Sequence, residues 1–366
     1  MSEQNTAQLL IIGTGVIAMS IAYHCAEAGI DVVLLERDAI ESTATQTAGA
    51  FRTYFPGRVH DSELVVRSLA DFRSFGATVG VDLGLTETGM LVVASTADQA
   101  AVLEAEVPAQ RDVGVQLELL TAAQAIRRNP WLDPAGVEAA VWCPQMIHLR
   151  ADEVLRGYAE GARKHGARVW TGTTATEVDA RTGRVSTTAG DFTAEAIVIA
   201  AGQCSGDIAA MADLKLPVWG QYAELFRTDP VGDGDVEAPF TFHPEAGLKT
   251  MGMGPSFLVG LERFSKREGM RDIWHEAACD EVARRYPRLR DVKLHSAWTG
   301  TLDVTPSRTA LIGKAGGKHE RIFFAAGFTG HDLGQAPATG KIIRDLCLGR
   351  QPGVDITPFS LARNGA

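Results

Sequence analysis

Apolar residues fall along this chain in two recurring patterns, and their order predicts an α/β protein. Leu9 to Ile12 is an unbroken apolar run that reads as a strand buried on both faces. It enters the turn Gly13-Thr14-Gly15 and leaves on apolar positions at helical spacing from Val16 to Ala28, stopped by Gly29. A second run, Val32 to Leu35, ends at Glu36. Much later, Ala196 to Gly202 is again a wholly apolar strand ending in small residues, as a central parallel strand does against a ligand. Helical spacing recurs over 62–75 (Leu64, Val65, Leu69, Phe72), 98–112, 121–129, 151–165, 272–286 and 338–348. Strand-like runs cover 89–94, 168–171, 174–180, 222–226, 256–259 and 322–326, with a hairpin pairing 184–188 and 192–194.

The pieces that look alike are far apart. Residues 1–80, 145–215 and 298–366 are therefore expected to form one discontinuous Rossmann-like domain, and 81–144 with 216–297 an α+β substrate domain carrying a mainly antiparallel sheet. No repeat and no low-complexity linker interrupts this.

The first unit, strand, glycine turn, helix and strand with an acid at its tip, is the dinucleotide-binding βαβ pattern. Gly13 and Gly15 lack Cβ atoms, so backbone amides can approach a pyrophosphate at the positive end of the following helix. Glu36 can accept hydrogen bonds from a ribose diol. The third glycine of the fingerprint is here Ala18. The polar run Glu41 to Ala50 follows; it is either a plain solvent loop or a lining for the rest of a long cofactor. A second glycine-rich loop, Gly327 to Gly334, offers another helix N-terminus to an electron-rich atom.

Composition narrows the partners. A chain of 366 residues with 45% hydrophobic and 22% charged residues is expected to be globular, with more than one domain. Its formal net charge of −10 argues against nucleic acid and anionic membrane surfaces. Five scattered cysteines without metal-ligand spacing suit a reducing cytoplasm, no metal is expected, and no apolar run is long enough to cross a bilayer.

Four segments in order, GTGVIAMSIAYHCAEAGIDVVLLE, TATQTAGAFR, AIVIAAGQCSGDIA, and TPSRTALIG with IFFAAGFTGHDLGQAPATGKII, together resemble the FAD-dependent amino-acid and amine oxidases related to D-amino-acid oxidase, in the glycine oxidase and sarcosine oxidase branch. The resemblance implies noncovalent FAD. Gly13, Gly15, Val16 and Ile17 would hold the pyrophosphate, and Glu36 the adenosine ribose with Arg37 beside it. Thr43, Ala44, Ala48, Gly49 and Ala50 would run along the ribityl chain and ring, with Val178 at the adenine end. Gly202 closes the central strand, and Gly330, His331, Asp332, Leu333 and Gly334 would sit by the pyrimidine side of the flavin. It also implies hydride transfer from a carbon next to nitrogen to the flavin, an imine product, and oxygen reduced to hydrogen peroxide. A dehydrogenase with another acceptor, and a flavin-binding subunit without turnover, are the rivals.

The chain departs from that family where substrate binds. The glycine oxidase arginine that pairs with the substrate carboxylate falls at Leu302 and its tyrosine partner near Thr241. The sarcosine oxidase lysine of the C-terminal loop falls at Gly334, the cysteine bonded to flavin at Gly300, and the oxygen-activating lysine at Leu258. A carboxylate in a dry pocket still needs a cation. Arg52, directly after the flavin-contacting segment, is the first candidate, with an interdomain ion pair as the alternative. Lys249 could do the same, or be an exposed hairpin lysine. His331 could position substrate or act as a cation in oxygen reduction, while His243 and Tyr222 would line the pocket or belong to the core. The expected substrate is glycine, sarcosine or an N-substituted glycine such as an N-carboxymethyl amino acid; the sequence gives no oligomeric state.

Overall fold

The computed structural model describes residues 5–37, 49–267 and 269–364. Two eight-stranded sheets dominate it, together with a small sheet of three strands. In the first, Thr6–Ile12 lies between Gly190–Ile199 and Val32–Leu35, all parallel, and Arg168–Trp170 extends the parallel run beyond Val32–Leu35. Gly190–Ile199 was expected as two pieces and is one strand of ten residues. Its start pairs antiparallel with Arg184–Thr187 in the hairpin, and its end pairs parallel with Ile322–Ala326. One strand thus serves both the hairpin and the parallel sheet.

Helices Val16–Glu27, Val59–Val79, Ala151–Lys164 and Asp332–Cys347 pack their apolar residues on this sheet. The last begins six residues earlier than its pattern predicts, because it runs through Pro337 instead of starting after it. Proline removes the bond to the Leu333 carbonyl. Side chains tie this stretch down: Ser20 Oγ donates to the Ala336 carbonyl at 2.8 Å, and the Ala338 N–H donates to Ser68 Oγ at 3.2 Å.

The second sheet is antiparallel except where Phe240–His243 runs parallel to Met90–Ala94. Its centre is Trp219–Thr228, Ser256–Leu261 and Leu248–Met253, and one edge is Leu294–Val304. That edge strand has no clean apolar alternation and is not apparent in the pattern; it runs through the boundary expected at residue 298. One face of the sheet is covered by helix Arg271–Arg285 through Trp274, Ala278 and Val282. The other face carries Phe242, packed with Tyr54, Met90 and Val92. The small sheet joins Ala50–Arg52 and Thr86–Glu87 to Met146–His148. His148 ends the last of these strands.

Gly340 is where the first and last helices touch. A Cβ there would fall well inside contact with Ser20 Oγ, 2.7 Å from His24 Cδ2 and 2.8 Å from the Ser20 carbonyl oxygen. Alanine for glycine inside a helix ordinarily stabilises by up to ~1 kcal/mol. Here Gly340→Ala is expected to destabilise by roughly 1–3 kcal/mol, read as a lower Tm; a Tm unchanged or raised would refute the close packing.

Candidate active site

Strand ends of the first sheet open into a cleft of about 430 Å³. Gly13 stands at φ +118, its missing Cβ pressed against the Ala200 carbonyl, so only glycine lets the turn lie on the neighbouring strand. Among the described residues, Gly15 has nothing within 4 Å of its Cβ position. It caps helix Val16–Glu27 without a side-chain partner, and no acid stands in that helix's first turn. The unmet N–H groups and the positive helix end thus face open space that suits a pyrophosphate. At the second strand's tip Glu36 accepts a hydrogen bond from the Thr14 hydroxyl.

Of the residues expected at the cofactor, Gly13, Gly15, Val16, Ile17, Glu36, Arg37, Gly202, Gly330 and Asp332 line this cleft. Val178 does not: its side chain is buried in the core, and Thr173 to Ala175 form the wall at that end. Leu333 is core, and Gly334 leaves room for Phe51, whose Cβ lies 2.9 Å from the missing Cβ. Gly49, at φ +61, fits beneath the Leu149 carbonyl oxygen, and Ala50 pairs with His148. Thr43, Ala44 and Ala48 lie outside the described residues.

Asp303, at the end of the edge strand, clamps the second glycine loop. Its carboxylate accepts from the Gly327 N–H at 2.6 Å and its carbonyl from the Thr329 N–H at 2.8 Å, holding Thr329 at a left-handed φ of 54. Burial, with the Asp332 carboxylate nearby, pushes the Asp303 carboxyl up to about 7.

Past Gly330 the cleft gives way to a cluster of charge. Arg52 is 6% exposed, its guanidinium stacked 4.7 Å from the Phe55 ring centre and 5.0 Å from that of Phe242. Among the described residues its Nε and Nη1 have no hydrogen-bond partner, and Nη2 lies 3.6 Å from Glu262 Oε1. Lys249 meets the same oxygen at 2.7 Å. It stands on a central strand with its side chain 25% exposed, not on an exposed hairpin tip. Burial lowers Lys249 to about 8 and Arg52 to about 10 against the pull of Glu262. Burial would raise Glu262, but Lys249 and Arg52 outweigh it and hold the carboxyl at about 2.

Arg58 and Glu262 were not singled out in the sequence, yet both belong here. Arg58 Nε lies 3.5 Å from Asp61 Oδ2, its Nη1 donates to the Arg308 carbonyl at 2.7 Å, and its Nη2 is 3.5 Å from His331 Nε2. Gln335 Nε2 donates to the other Asp61 oxygen at 3.0 Å. Burial and the charges of Arg52, Arg58 and Lys249 push His331 well below the usual histidine range. This disfavours the cationic form of the imidazole.

His243 and Tyr222 are not in this cluster. Strand side chains alternate between faces, so Phe242 faces Arg52 while His243 points to the other side, where its Nε2 lies 3.2 Å from the Tyr286 hydroxyl. Burial and the Arg285 charge lower His243 to about 3. Tyr222 packs against that same core. Of the positions expected to correspond to the family's carboxylate-binding pair, Leu302 stands beside Gly330, 3.3 Å from its Cβ position, and Thr241 is buried under Asn129, whose Nδ2 donates to Thr241 Oγ1 at 2.9 Å.

Both the fold and the cleft define a flavin oxidoreductase class. The chain matches the family described as FAD dependent oxidoreductase (DAO) over residues 8–346 and belongs to that family. It is 25% identical to a glycine oxidase of Geobacillus kaustophilus over 97% of this chain and 96% of that one. The solved structure of glycine oxidase from that organism superposes with a TM-score of 0.79 over 99% and 100% of the two chains at 23% identity. The FAD-dependent oxidoreductase domain-containing protein 1 of Bos taurus is 26% identical over 98% of this chain and 84% of its own. An L-proline dehydrogenase from P. horikoshii superposes with a TM-score of 0.84 at 20% identity, covering 97% of each chain. The uncapped helix end and the open face at Gly15 fit the FAD that this family uses.

Two measurements follow from the cleft. In Gly13→Ala the new methyl meets the Ala200 carbonyl at a backbone angle that alanine resists, so the purified variant is expected to carry far less FAD, read as flavin absorbance per mole of folded protein. Asp303 binds its proton more tightly in the folded state than in the unfolded chain. Its stabilising contribution is complete below the ordinary carboxylate range near 4 and lost as pH rises through about 7. Asp303→Asn should flatten the fall in Tm of the apoprotein across that window; an unaltered slope would refute the assignment.

Proposed function

We propose that this enzyme oxidises the C–N bond of a small amino acid or secondary amine that carries a carboxylate, and that Arg52 receives that carboxylate. The observation behind it is the guanidinium itself: buried, with Nε and Nη1 unpaired. Leaving a buried cation under-bonded is costly, and such groups persist where a ligand completes them. A carboxylate entering between Phe55 and Phe242 would find charge-assisted donors in a site from which both rings exclude water.

Bound FAD supplies a two-electron acceptor for a hydride from the carbon next to nitrogen. What the chain's side chains contribute is orientation. Arg52 fixes one end of the substrate, so the C–H bond can be aimed at the cofactor. Arg52, Arg58 and Lys249 favour a ligand that arrives as an anion, the form an amino acid takes once its amine is neutral and able to lose hydride. Neutral His331, edge-on to Phe55 at 4.8 Å between ring centres, can accept from Arg58 and set that side chain. Gly300, standing where the sarcosine oxidases carry their flavin-bonded cysteine, supports a cofactor held without a covalent bond.

Oxygen is the acceptor we favour, by likeness to glycine oxidase; the likeness in fold to an L-proline dehydrogenase makes another acceptor the rival. Anaerobic mixing with glycine, sarcosine, proline and longer N-alkylglycines should bleach the flavin with at least one, and readmitted air should restore the colour with peroxide formed. No bleaching by any carboxylate-bearing amine would sink the proposal. Slow reoxidation in air but fast reoxidation by a quinone would assign a dehydrogenase.

Arg52→Met should lower kcat/KM for the best substrate by roughly a hundredfold or more while FAD content is kept. The same change should leave Tm unchanged or raise it, since it replaces an under-bonded buried charge with an apolar side chain. Lost stability with retained kcat/KM would make Arg52 a structural ion pair instead.

A further inference from the structure

Among the described residues five charged groups converge in the cluster: the cations Arg52, Arg58 and Lys249 and the carboxylates Glu262 and Asp61. His331 adds none. One positive charge is left over, which matches one substrate carboxylate beside a neutral amine. Glu262 makes that balance. Its Oε1 lies 2.7 Å from Lys249 Nζ and 3.6 Å from Arg52 Nη2, so it sits where a carboxylate bridging both cations would sit. The backbone holds it there: the Glu262 N–H donates to the Gly247 carbonyl at 2.8 Å, and the Glu262 Cβ is 3.1 Å from the missing Cβ of Gly247, which stands at φ +63.

We propose that Glu262 is a specificity-determining residue, a built-in carboxylate that occupies the place of a second substrate carboxylate and restricts the enzyme to amines bearing one. This rests on the amine-carboxylate reading above and narrows it. A substrate with two carboxylates would bring two negative charges to a site with one to spare, and an uncompensated charge in a dry site is strongly disfavoured. N-carboxymethyl amino acids, open to the sequence reading, are thereby excluded as preferred substrates, in favour of N-alkyl or cyclic amino acids with a single carboxylate.

Two probes of similar length separate charge from size: N-propylglycine, with one carboxylate, and iminodiacetate, with two. Wild-type holoenzyme is expected to favour N-propylglycine in kcat/KM by roughly tenfold or more, mainly through KM. Glu262→Gln leaves two spare positive charges and should move the ratio toward iminodiacetate by roughly tenfold or more. The double variant Lys249→Met/Glu262→Gln restores a single spare charge, and its ratio should return toward that of wild type. If single variants lose turnover, the flavin spectral shift on titration with acetate and with malonate reads the same preference without catalysis. A wild type that prefers iminodiacetate, or a ratio that Glu262→Gln leaves unmoved, overturns the role of Glu262 while leaving the amine-carboxylate reading intact. A flavin that no carboxylate-bearing amine reduces overturns both.

Discussion

The closeness of the first and last helices is the constraint on which the rest of this molecule depends. Val16–Glu27 and Asp332–Cys347 are separated by most of the chain, yet Ser20 bonds to the Ala336 carbonyl and Gly340 leaves no room for a methyl group between them. Because they pack in this way, both begin near one cleft. Among the described residues neither helix has a side-chain N-cap bond; the first turn of Val16–Glu27 carries no acid, whereas Asp332 stands in that of the last helix, so the positive end open to an electron-rich ligand is chiefly the first. Asp303 brings the second sheet into the same arrangement by fixing the loop before the last helix. The cofactor cleft is therefore a product of helix packing first and of individual contacts second.

On the other side of Gly330 the organising quantity is charge in a poorly hydrated place. Phe55 and Phe242 supply ring faces that make a guanidinium tolerable without supplying hydrogen bonds. Lys249 and Glu262 satisfy each other, while Arg58 is held by Asp61, a carbonyl and His331. Among the described residues of this cluster, Arg52 is left with Nε and Nη1 unmet. In a protein with many paired surface charges such an imbalance would be removed by small shifts, since exposed ion pairs cost little to form or break. Here it is fixed by rings and by strands that cannot move independently.

Much of this was legible in the sequence, and the rest was hidden for identifiable reasons. The βαβ unit, the apolar strand ending at Gly202 and the late glycine loop could be read because each combines periodicity with a glycine that only one backbone geometry explains. Arg52 was reachable from its place after Gly49 and Ala50. Lys249 was ambiguous because a lysine on a short strand looks the same from either face. His243 and Tyr222 failed for that reason: alternation says that neighbours face opposite ways, but not which face meets the cofactor. Glu262 and Arg58 gave no signal, since each becomes meaningful only beside a partner far off in the chain. The edge strand Leu294–Val304 was missed because a half-exposed edge need not alternate cleanly.

The family's usual carboxylate positions show how such a site can be rebuilt without changing the fold. Leu302 sits on the edge strand beside Gly330, and Thr241 is turned into the far core against Asn129. Arg52 and Lys249, the cations proposed to serve instead, stand on Ala50–Arg52 and on the central strand Leu248–Met253. With Arg52 as the proposed anchor and the cofactor site unmoved, a substrate would lie along a different line from one held at position 302, and the size of group tolerated on nitrogen would change with it. The scaffold permits this because helix packing, not the substrate site, determines where the cofactor goes. Substrate preference can then be altered by a few charged side chains on sheet faces already present.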